Sequence, residues 1–418
     1  MANKIIGFAH SDSDNLSYIK NQLDAIKIVF PSLEIELSDE SNSLVSKHIA
    51  PALRDRMPLY MILKDGYYKT HRPMSSAMDY PYQAEDGRDL APIQRTLADK
   101  CAELSELPYW SFTNCGTDSL QIAVHALTKE GDTILVPAYG WRGVANAVRF
   151  MNRKLKFIDV DKTGNICPIA LEKWAKVKSN YAKAIIIIHN FGAMADVPKI
   201  HNILKKYYLN DIKIIEDAAP AFYMGAPIKY KPGQLSDLVC YSFDFTKSPG
   251  TLGSGGGIAT RHTDIYERIY EIQAHGTSKQ KQIGGYGTKS FLDNTSCAVL
   301  LKEIEFYEEF KYRERRIEIA AWYNENLPYN SVPGENYIWE RFSMFVPSEQ
   351  VVSVLDKLHS INCLARTMFK EPMSSYSFYD TQETLPGVKH FTENLIHLPS
   401  HHYITFEEQH RIRECLKQ

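Results

Sequence analysis

The sequence predicts an α/β protein with a mostly parallel sheet, and two observations carry that reading. Apolar strand candidates recur at 110–113, 133–136, 155–160, 184–188, 212–215, 238–245 and 257–260. Most are separated by segments of helical length and period, such as 120–127 and 197–208. Continuous apolar strands alternating with helices are the pattern of a sheet buried on both faces. A helix with apolar residues at Ile93, Leu97, Cys101 and Leu104 leads into this region. A long charged helix over 303–326 leads out of it, toward shorter units at 337–346, 348–359 and 363–369. The last helix is opened by the capping box Thr405–Glu408. These later units predict a small C-terminal α/β domain.

The remaining N-terminal residues read as a separate α/β module. Strands are expected at 4–9, 33–37 and 59–63 and from Tyr67, with helices over 15–28 and from about Ser43. A proline enters the third strand at Pro58, and Asp65-Gly66 is a hairpin signal. This order resembles a thioredoxin-like domain, but the position of that family's CxxC holds no thiol and the first cysteine of the chain is Cys101. The module is therefore expected to cover substrate or bind a partner rather than do redox chemistry. The expected boundaries are 1–73 for this module, 74–88 for a polar linker, 89–300 for the large domain and 301–418 for the small one.

A length of 418 residues allows about three units of ~150 residues each. With 44% hydrophobic and 23% charged residues, the chain is neither a disordered polyelectrolyte nor a rod. Its 48 Lys and Arg against 50 Asp and Glu leave no bulk field to draw it onto nucleic acid or an anionic membrane. Apolar runs such as 59–63 and 184–188 fall far short of the about 20 residues a membrane span needs. The N-terminus has neither a signal peptide's apolar core nor an Arg-rich transit pattern. Seven scattered cysteines without metal-ligand spacing read as reduced thiols, so a cytoplasmic protein without a metal site is expected.

Ligands of an open parallel sheet bind at the carboxyl ends of its strands, so the polar residues that end the apolar runs are the candidates for chemistry. Asp217 ends one run, and Ser242 and Lys247 follow another. Gly116 and Thr117 lie between a strand and a helix, and Tyr139, Trp141 and Arg142 follow the next strand. Taken singly, Asp217 reads as a helix cap, Lys247 as a surface charge, Gly116-Thr117-Asp118 as a plain N-cap and Trp141 as a core or interface residue. Together they make a coherent set. A helix N-terminus with Gly116, Thr117 and the Ser242 hydroxyl suits a phosphate, Trp141 suits stacking on a flat heterocycle, Asp217 suits a protonated ring nitrogen and Lys247 suits an imine. These are the requirements of pyridoxal 5'-phosphate. The glycine run 253–257 lacks the spacing of a nucleotide-binding loop and is expected to allow close backbone packing.

Motifs in order from about Ile93 to the C-terminus make the resemblance specific. They are NCGTDSL at 114–120, GDTILVPAYGW at 131–141, FIDVD at 157–161, HNFG at 189–192, EDAA at 216–219, SFDFTK at 242–247, GGGIAT at 255–260, HG at 275–276 and HLPSHHYITFEEQ at 397–409. In these the chain resembles the DegT/StrS-type sugar aminotransferases, pyridoxal-phosphate enzymes of fold type I. The resemblance implies Lys247 as the imine-forming lysine, Asp217 as partner of the pyridine nitrogen, Trp141 as the stacking ring, and Gly116, Thr117 and Ser242 at the phosphate. It also implies glutamate or glutamine as amino donor, a keto-sugar as acceptor and a homodimer with shared sites. Tyr139, Arg142, His189, Asn190 and His275 are the candidates for substrate contact. Two positions depart from the family pattern. Pro220 stands where a glutamine is usual, and Ala274 where an asparagine usually reaches the phosphate of the neighbouring subunit. A non-sugar or cyclic polyol ketone as acceptor, and a non-catalytic regulator or scaffold, remain alternatives.

Overall fold

The computed structural model describes residues 4–8, 34–38, 92–177, 181–220, 222–280, 282–334, 337–379 and 385–417. Near the N-terminus, β1 (Lys4–Phe8) and β2 (Glu34–Ser38) pair in parallel, with Lys4 opposite Glu34. The other elements expected in the N-terminal module, and with them the thioredoxin-like order, lie outside the described residues.

From α1 (Pro92–Ser105) onward the chain builds one seven-stranded sheet. Its strands are β3 (Tyr109–Thr113), β4 (Thr133–Pro137), β5 (Lys154–Ile158), β6 (Ala184–Ile188), β7 (Lys213–Asp217), β8 (Leu238–Ser242) and β9 (Gly256–Thr260). They lie in the order β3-β9-β8-β7-β6-β4-β5, and β9 alone runs antiparallel to its neighbours. The expected mostly parallel sheet is what forms.

Alternation along an inner strand shows why this sequence makes a doubly covered sheet. In β6, Ile186 and Ile188 face one layer, made by α2 (Gly116–Leu127), α3 (Gly143–Phe150) and α6 (Thr263–Gln273). Ile185 and Ile187 face the other, where α4 (Pro168–Ala175) and α5 (Val197–Lys206) lie. Each of these isoleucines is 0–1% exposed, and full burial of such a side chain is worth about 1.5–3 kcal/mol. At the other end of the sheet, Trp110, Phe112, Val239 and Tyr241 pack with Leu97 and Cys101 of α1 and Leu300 of α7 (Asn294–Glu309).

The expected helix over 303–326 is two helices. After α7, Lys311 adopts φ +52°, a left-handed conformation that cannot continue an α-helix, and α8 (Tyr312–Asn326) starts in a new direction. Beyond it, β10 (Phe342–Phe345) pairs antiparallel with β11 (Leu395–Leu398). Around this pair lie α9 (Val351–Ser360), α10 (Pro386–Asn394) and α11 (Phe406–Lys417). The capping box of α11 forms in both directions. The Thr405 N–H donates to Glu408 at 2.8 Å, and the Glu408 N–H donates to the Thr405 hydroxyl at 3.1 Å. The expected unit at 363–369 is irregular, with a single bridge between Arg366 and His397. No helix among the described residues is long and apolar enough to cross a membrane, and all seven cysteines are free.

Candidate active site

Three strand ends and one helix start meet at the carboxyl edge of the sheet. The helix is α2, capped by Cys115, whose extended backbone lets its Sγ accept the Asp118 N–H at 3.4 Å. Its inward residues Leu120, Ala123 and Val124 are fixed in the core, which sets where its first N–H groups point. A Cβ at Gly116 would lie 2.8 Å from Ser242 Cβ and 3.1 Å from Ser242 Oγ, so only glycine lets the helix start approach the end of β8 this closely. On the other side, Gly256 runs against the Cys115 carbonyl, where a Cβ would clash. This is the close packing expected of the glycine run. The N-terminal amides of α2, the Thr117 side chain and the Ser242 hydroxyl thus border one seat suited to an anion.

Asp217 is the last residue of β7, in register with Ile188 of β6 and Cys240 of β8. It is 4% exposed and accepts the Ala219 N–H at 2.9 Å. Burial raises its carboxyl above the ordinary aspartate value, while the Ala219 N–H and the nearby Lys247 amine pull the other way. Such a group gains from a fixed cation against it. Lys247 sits in a turn closed by its N–H to the Asp244 carbonyl at 2.7 Å. It lines a pocket with Ala218, Ala219, Pro220, Ser242 and Glu340. Pro220, at the position of the family's usual glutamine, is therefore part of the pocket wall and brings no side-chain hydrogen bond to it.

Trp141 follows β4 and is 53% exposed. A Cβ on Gly143 would lie 2.6 Å from its Nε1 and 3.5 Å from Thr117 Oγ1, so indole and helix start share one small space. The Arg142 guanidinium lies 5.2 Å from the indole centroid.

The other residues expected at the substrate divide differently. Tyr139 is 0% exposed, wedged among Phe191, Phe369 and Phe391, with its hydroxyl directed to the Met368 carbonyl at 3.4 Å. Asn190 is spent inside the fold. Its Nδ2 donates to the carbonyls of Gly164 at 2.7 Å and Tyr139 at 3.3 Å. His189 has both ring nitrogens engaged, Nδ1 by the Ala195 N–H at 3.1 Å and Nε2 by Glu216 at 3.0 Å. These three are buried and hold the strand ends through the contacts just given. His275 is exposed, at φ +59°, with its N–H on the Thr288 carbonyl at 3.2 Å, and it does not line the Lys247 pocket. Ala274 caps α6 and bridges to Lys289.

The profile of the DegT/DnrJ/EryC1/StrS aminotransferase family matches residues 88–417. The chain belongs to this family. Among its relatives is the UDP-2-acetamido-2-deoxy-3-oxo-D-glucuronate aminotransferase of Pseudomonas aeruginosa, 34% identical over 242 residues, or 57% of this chain and 64% of the relative. The match thus spans less than two thirds of that protein. The 3-oxo-glucose-6-phosphate:glutamate aminotransferase of Bacillus subtilis is 26% identical over 325 residues, 73% of this chain and 70% of the relative. A crystal structure of NtdA from Bacillus subtilis with bound cofactor PMP superimposes with a TM-score of 0.72 at 20% identity, covering 95% of this chain and 97% of that one.

Membership of this aminotransferase family gives the fold as PLP fold type I and pyridoxal phosphate as the cofactor. The chain's own residues fit that cofactor. With no Cβ at Gly116 the start of α2 opens directly onto the Ser242 hydroxyl, as a phosphate requires, and the Asp217 carboxyl, raised by burial, suits a protonated ring nitrogen.

Sequence reasoning missed the small-domain wall of the pocket. Glu340 lines the pocket and pairs with Arg341 at 3.2 Å. Both lie in an irregular stretch before β10, where no periodic pattern marks them. The available signal was the charged pair itself, set within an aromatic run.

Proposed function

We propose that the protein transfers an amino group from glutamate or glutamine to the ketone of a phosphorylated or nucleotide-linked keto-hexose, with the ketone at C3. The observation that carries this reading is the meeting of Lys247, the buried Asp217 carboxyl and the Gly116–Ser242 seat at one strand edge. Both relatives described above act on 3-oxo sugars by name, one nucleotide-linked and one phosphorylated, and the second is named for glutamate as donor.

When bound, pyridoxal phosphate supplies an electron sink for the carbanion formed at the donor's Cα. The rest falls to the chain. The α2 N-terminus, Thr117 and Ser242 hold the phosphate. Asp217 holds a proton on the ring nitrogen, which offsets its own burial. Trp141 covers one face of the ring. Lys247 would be the covalent anchor, and its freed Nζ would take the proton from the donor's Cα and return it on the cofactor side. In the second half-reaction the same Nζ would act in reverse, taking up a proton on the cofactor side and delivering one to the sugar carbon as that carbon gains its amine. Donor and acceptor thus occupy one site in turn.

The same reading makes the protein a cytoplasmic homodimer with its sites at the subunit interface, which light scattering on the active species decides. It treats residues 1–73 as a separate module joined by 74–88 to the large domain (89–300) and the small domain (301–418).

The test is a spectroscopic half-reaction. The protein is aminated with glutamate or glutamine, then challenged with 3-keto-sugar phosphates, nucleotide-linked 3-keto-sugars, an inosose and simple keto acids. The keto-sugars are expected to discharge it fastest. If only simple keto acids do, a general amino-acid aminotransferase replaces this reading; if only the inosose does, the acceptor is a cyclic polyol ketone.

A further inference from the structure

Two stretches far apart in the chain are stitched together beside the Lys247 pocket. The Ile338 N–H donates to the Gly192 carbonyl at 3.1 Å and the Arg341 N–H to the Phe191 carbonyl at 3.3 Å, so the segment before β10 runs along the turn that follows β6. The approach is close enough to need a glycine. Gly192 has φ +93°, and a Cβ there would lie 2.8 Å from the Glu340 nitrogen and 3.1 Å from the Trp339 nitrogen. Between the two hydrogen bonds Trp339 adopts φ +48°, a left-handed conformation that a bulky residue rarely takes, with its ring stacked on Tyr337 at 3.8 Å and on Phe342 at 5.2 Å. Strain of this kind persists only where the surroundings over-determine it. The next residue is Glu340, whose carbonyl accepts Arg316 Nη1 at 3.1 Å. These contacts fix where Glu340 enters the pocket.

Among the described residues that line this pocket, Lys247 and Glu340 alone are charged, and most of the others, such as Pro220, Phe222, Phe243 and Pro249, are apolar. Only 11% of the Glu340 side chain is exposed, and Arg341 Nε, 3.2 Å from its Oε2, supplies a counter-charge. An acid desolvated this far needs such a partner. An ionised carboxylate has about four lone-pair sites and no proton to give, so it only accepts hydrogen bonds. It suits the hydroxyls of a sugar ring and opposes another carboxylate. Selection between ligands works by such repulsion as well as by attraction, and here two unlike substrates enter one pocket in turn.

We infer that Glu340 is a specificity residue for the acceptor, its carboxylate taking hydrogen bonds from ring hydroxyls of the keto-sugar. The inference rests on the aminotransferase reading for what that acceptor is. Glu340 gives a polyol ring a partner and denies the same place to the carboxylates of an amino or keto acid, so the donor's carboxylates lie away from this wall. A site built to hydrogen-bond hydroxyls also rejects ligands that lack them, because its buried acceptor is then left unmatched.

The experiment is calorimetric titration of the protein loaded with pyridoxal phosphate, using three unreactive probes: glucose 6-phosphate, UDP-glucose, and glutarate, which has no hydroxyl. Glu340→Ala and Glu340→Gln are compared with the parent, and borohydride labelling of Lys247 and the melting temperature are read on the same samples. Glu340→Ala is expected to weaken at least one hexose probe about tenfold or more, and Glu340→Gln, which keeps a neutral acceptor, by a smaller factor. Glutarate should bind each variant at least as tightly as it binds the parent, and the Lys247 label should be unchanged. The opposite responses separate specificity from a structural role, under which hexose and glutarate weaken together. Such parallel loss overturns the inference, as does hexose binding unchanged in both variants or a parent that binds neither hexose. The two readings fail separately. An unlabelled Lys247 with Glu340-dependent hexose binding removes the aminotransferase reading and leaves the sugar-binding role of Glu340, and a labelled Lys247 with Glu340-independent hexose binding does the reverse.

Discussion

His189 donates its Nε2 proton to Glu216 across 3.0 Å in a region where both side chains are fully buried. The tautomer follows from Nδ1, which accepts the Ala195 N–H. The other Glu216 oxygen accepts the Tyr230 hydroxyl at 2.9 Å, the Gly233 N–H at 2.7 Å and the Ser236 hydroxyl at 2.5 Å. A buried carboxylate satisfied this completely fixes the end of β7, and Asp217 is the next residue. Glu216→Gln turns one acceptor oxygen into a donor facing donors. It is expected to cost about 3 kcal/mol of stability and to weaken cofactor binding through the displaced Asp217. Thermal melting with and without pyridoxal phosphate checks this, and a variant that melts and binds like the parent removes the network from any positioning role.

Asp217→Asn separates stability from chemistry. The folded protein raises this carboxyl above its ordinary value of 3.8, so without cofactor the native state holds the proton more tightly than the unfolded chain does. The aspartate's contribution is therefore fully present below pH 3.8 and is lost as the pH rises through the folded value. Cofactor-free Asp217→Asn should melt higher than the cofactor-free parent at neutral pH, with the gap closing on acidification. Amine transfer in single turnover should fall at least about a hundredfold, since an amide cannot hold the ring nitrogen protonated. A gap independent of pH, or undiminished transfer, contradicts the role given to Asp217.

Gly116→Ala places a Cβ 2.8 Å from Ser242 Cβ. Either the helix start or the end of β8 must shift, at about 1–3 kcal/mol, and the seat between them opens. Cofactor affinity should fall about tenfold, and that loss should persist when stability is restored by a stabilising osmolyte. Full affinity in the variant would show that the phosphate sits elsewhere.

Strand ends were the legible part of this sequence, because each apolar run of the sheet stops where burial on both faces stops. That boundary located Asp217, Ser242 and Lys247 without any coordinates. Direction was not legible. Tyr139, His189 and Asn190 also follow strands, but they turn inward, and the pattern of the chain does not show that Glu216 is waiting for His189 or that the carbonyls of Gly164 and Tyr139 are waiting for Asn190. The long helix over 303–326 read as continuous since charged residues run through it, whereas the break is a matter of backbone conformation at Lys311, a residue with no turn signature. Glu340 escaped for a related reason: it reaches the pocket from an irregular stretch that no period in the sequence marks.

The N-terminal residues supply a sharper test of organisation. No cysteine precedes Cys101, so the intact protein should show no disulfide reductase activity toward insulin. A chain beginning at residue 74 should still bind pyridoxal phosphate on Lys247, because the seat, the acid and the lysine all lie beyond residue 115. Outright loss of cofactor binding in the shortened chain would place the first 73 residues in the core of the large domain and move the proposed boundary.

Trp141 is the exposed member of the set, at 53% exposure, and its indole reaches the helix start at Gly143 and Thr117. An aromatic ring left open beside an anion seat gains area when a flat heterocycle covers it, and stacked rings contribute about 0.5–1.5 kcal/mol beyond that area. Trp141→Ala should therefore weaken pyridoxal phosphate about tenfold, while Trp141→Phe, which keeps a stacking face, should stay within about threefold of the parent. Loading with cofactor should also quench the Trp141 emission, visible as the part of the fluorescence change that Trp141→Phe lacks. Titration followed by absorbance gives the affinities independently of the fluorescence. If the alanine variant binds as tightly as the parent and the quench survives in Trp141→Phe, another residue covers the ring, and Trp141 is left as a surface indole held by its contact with Arg142.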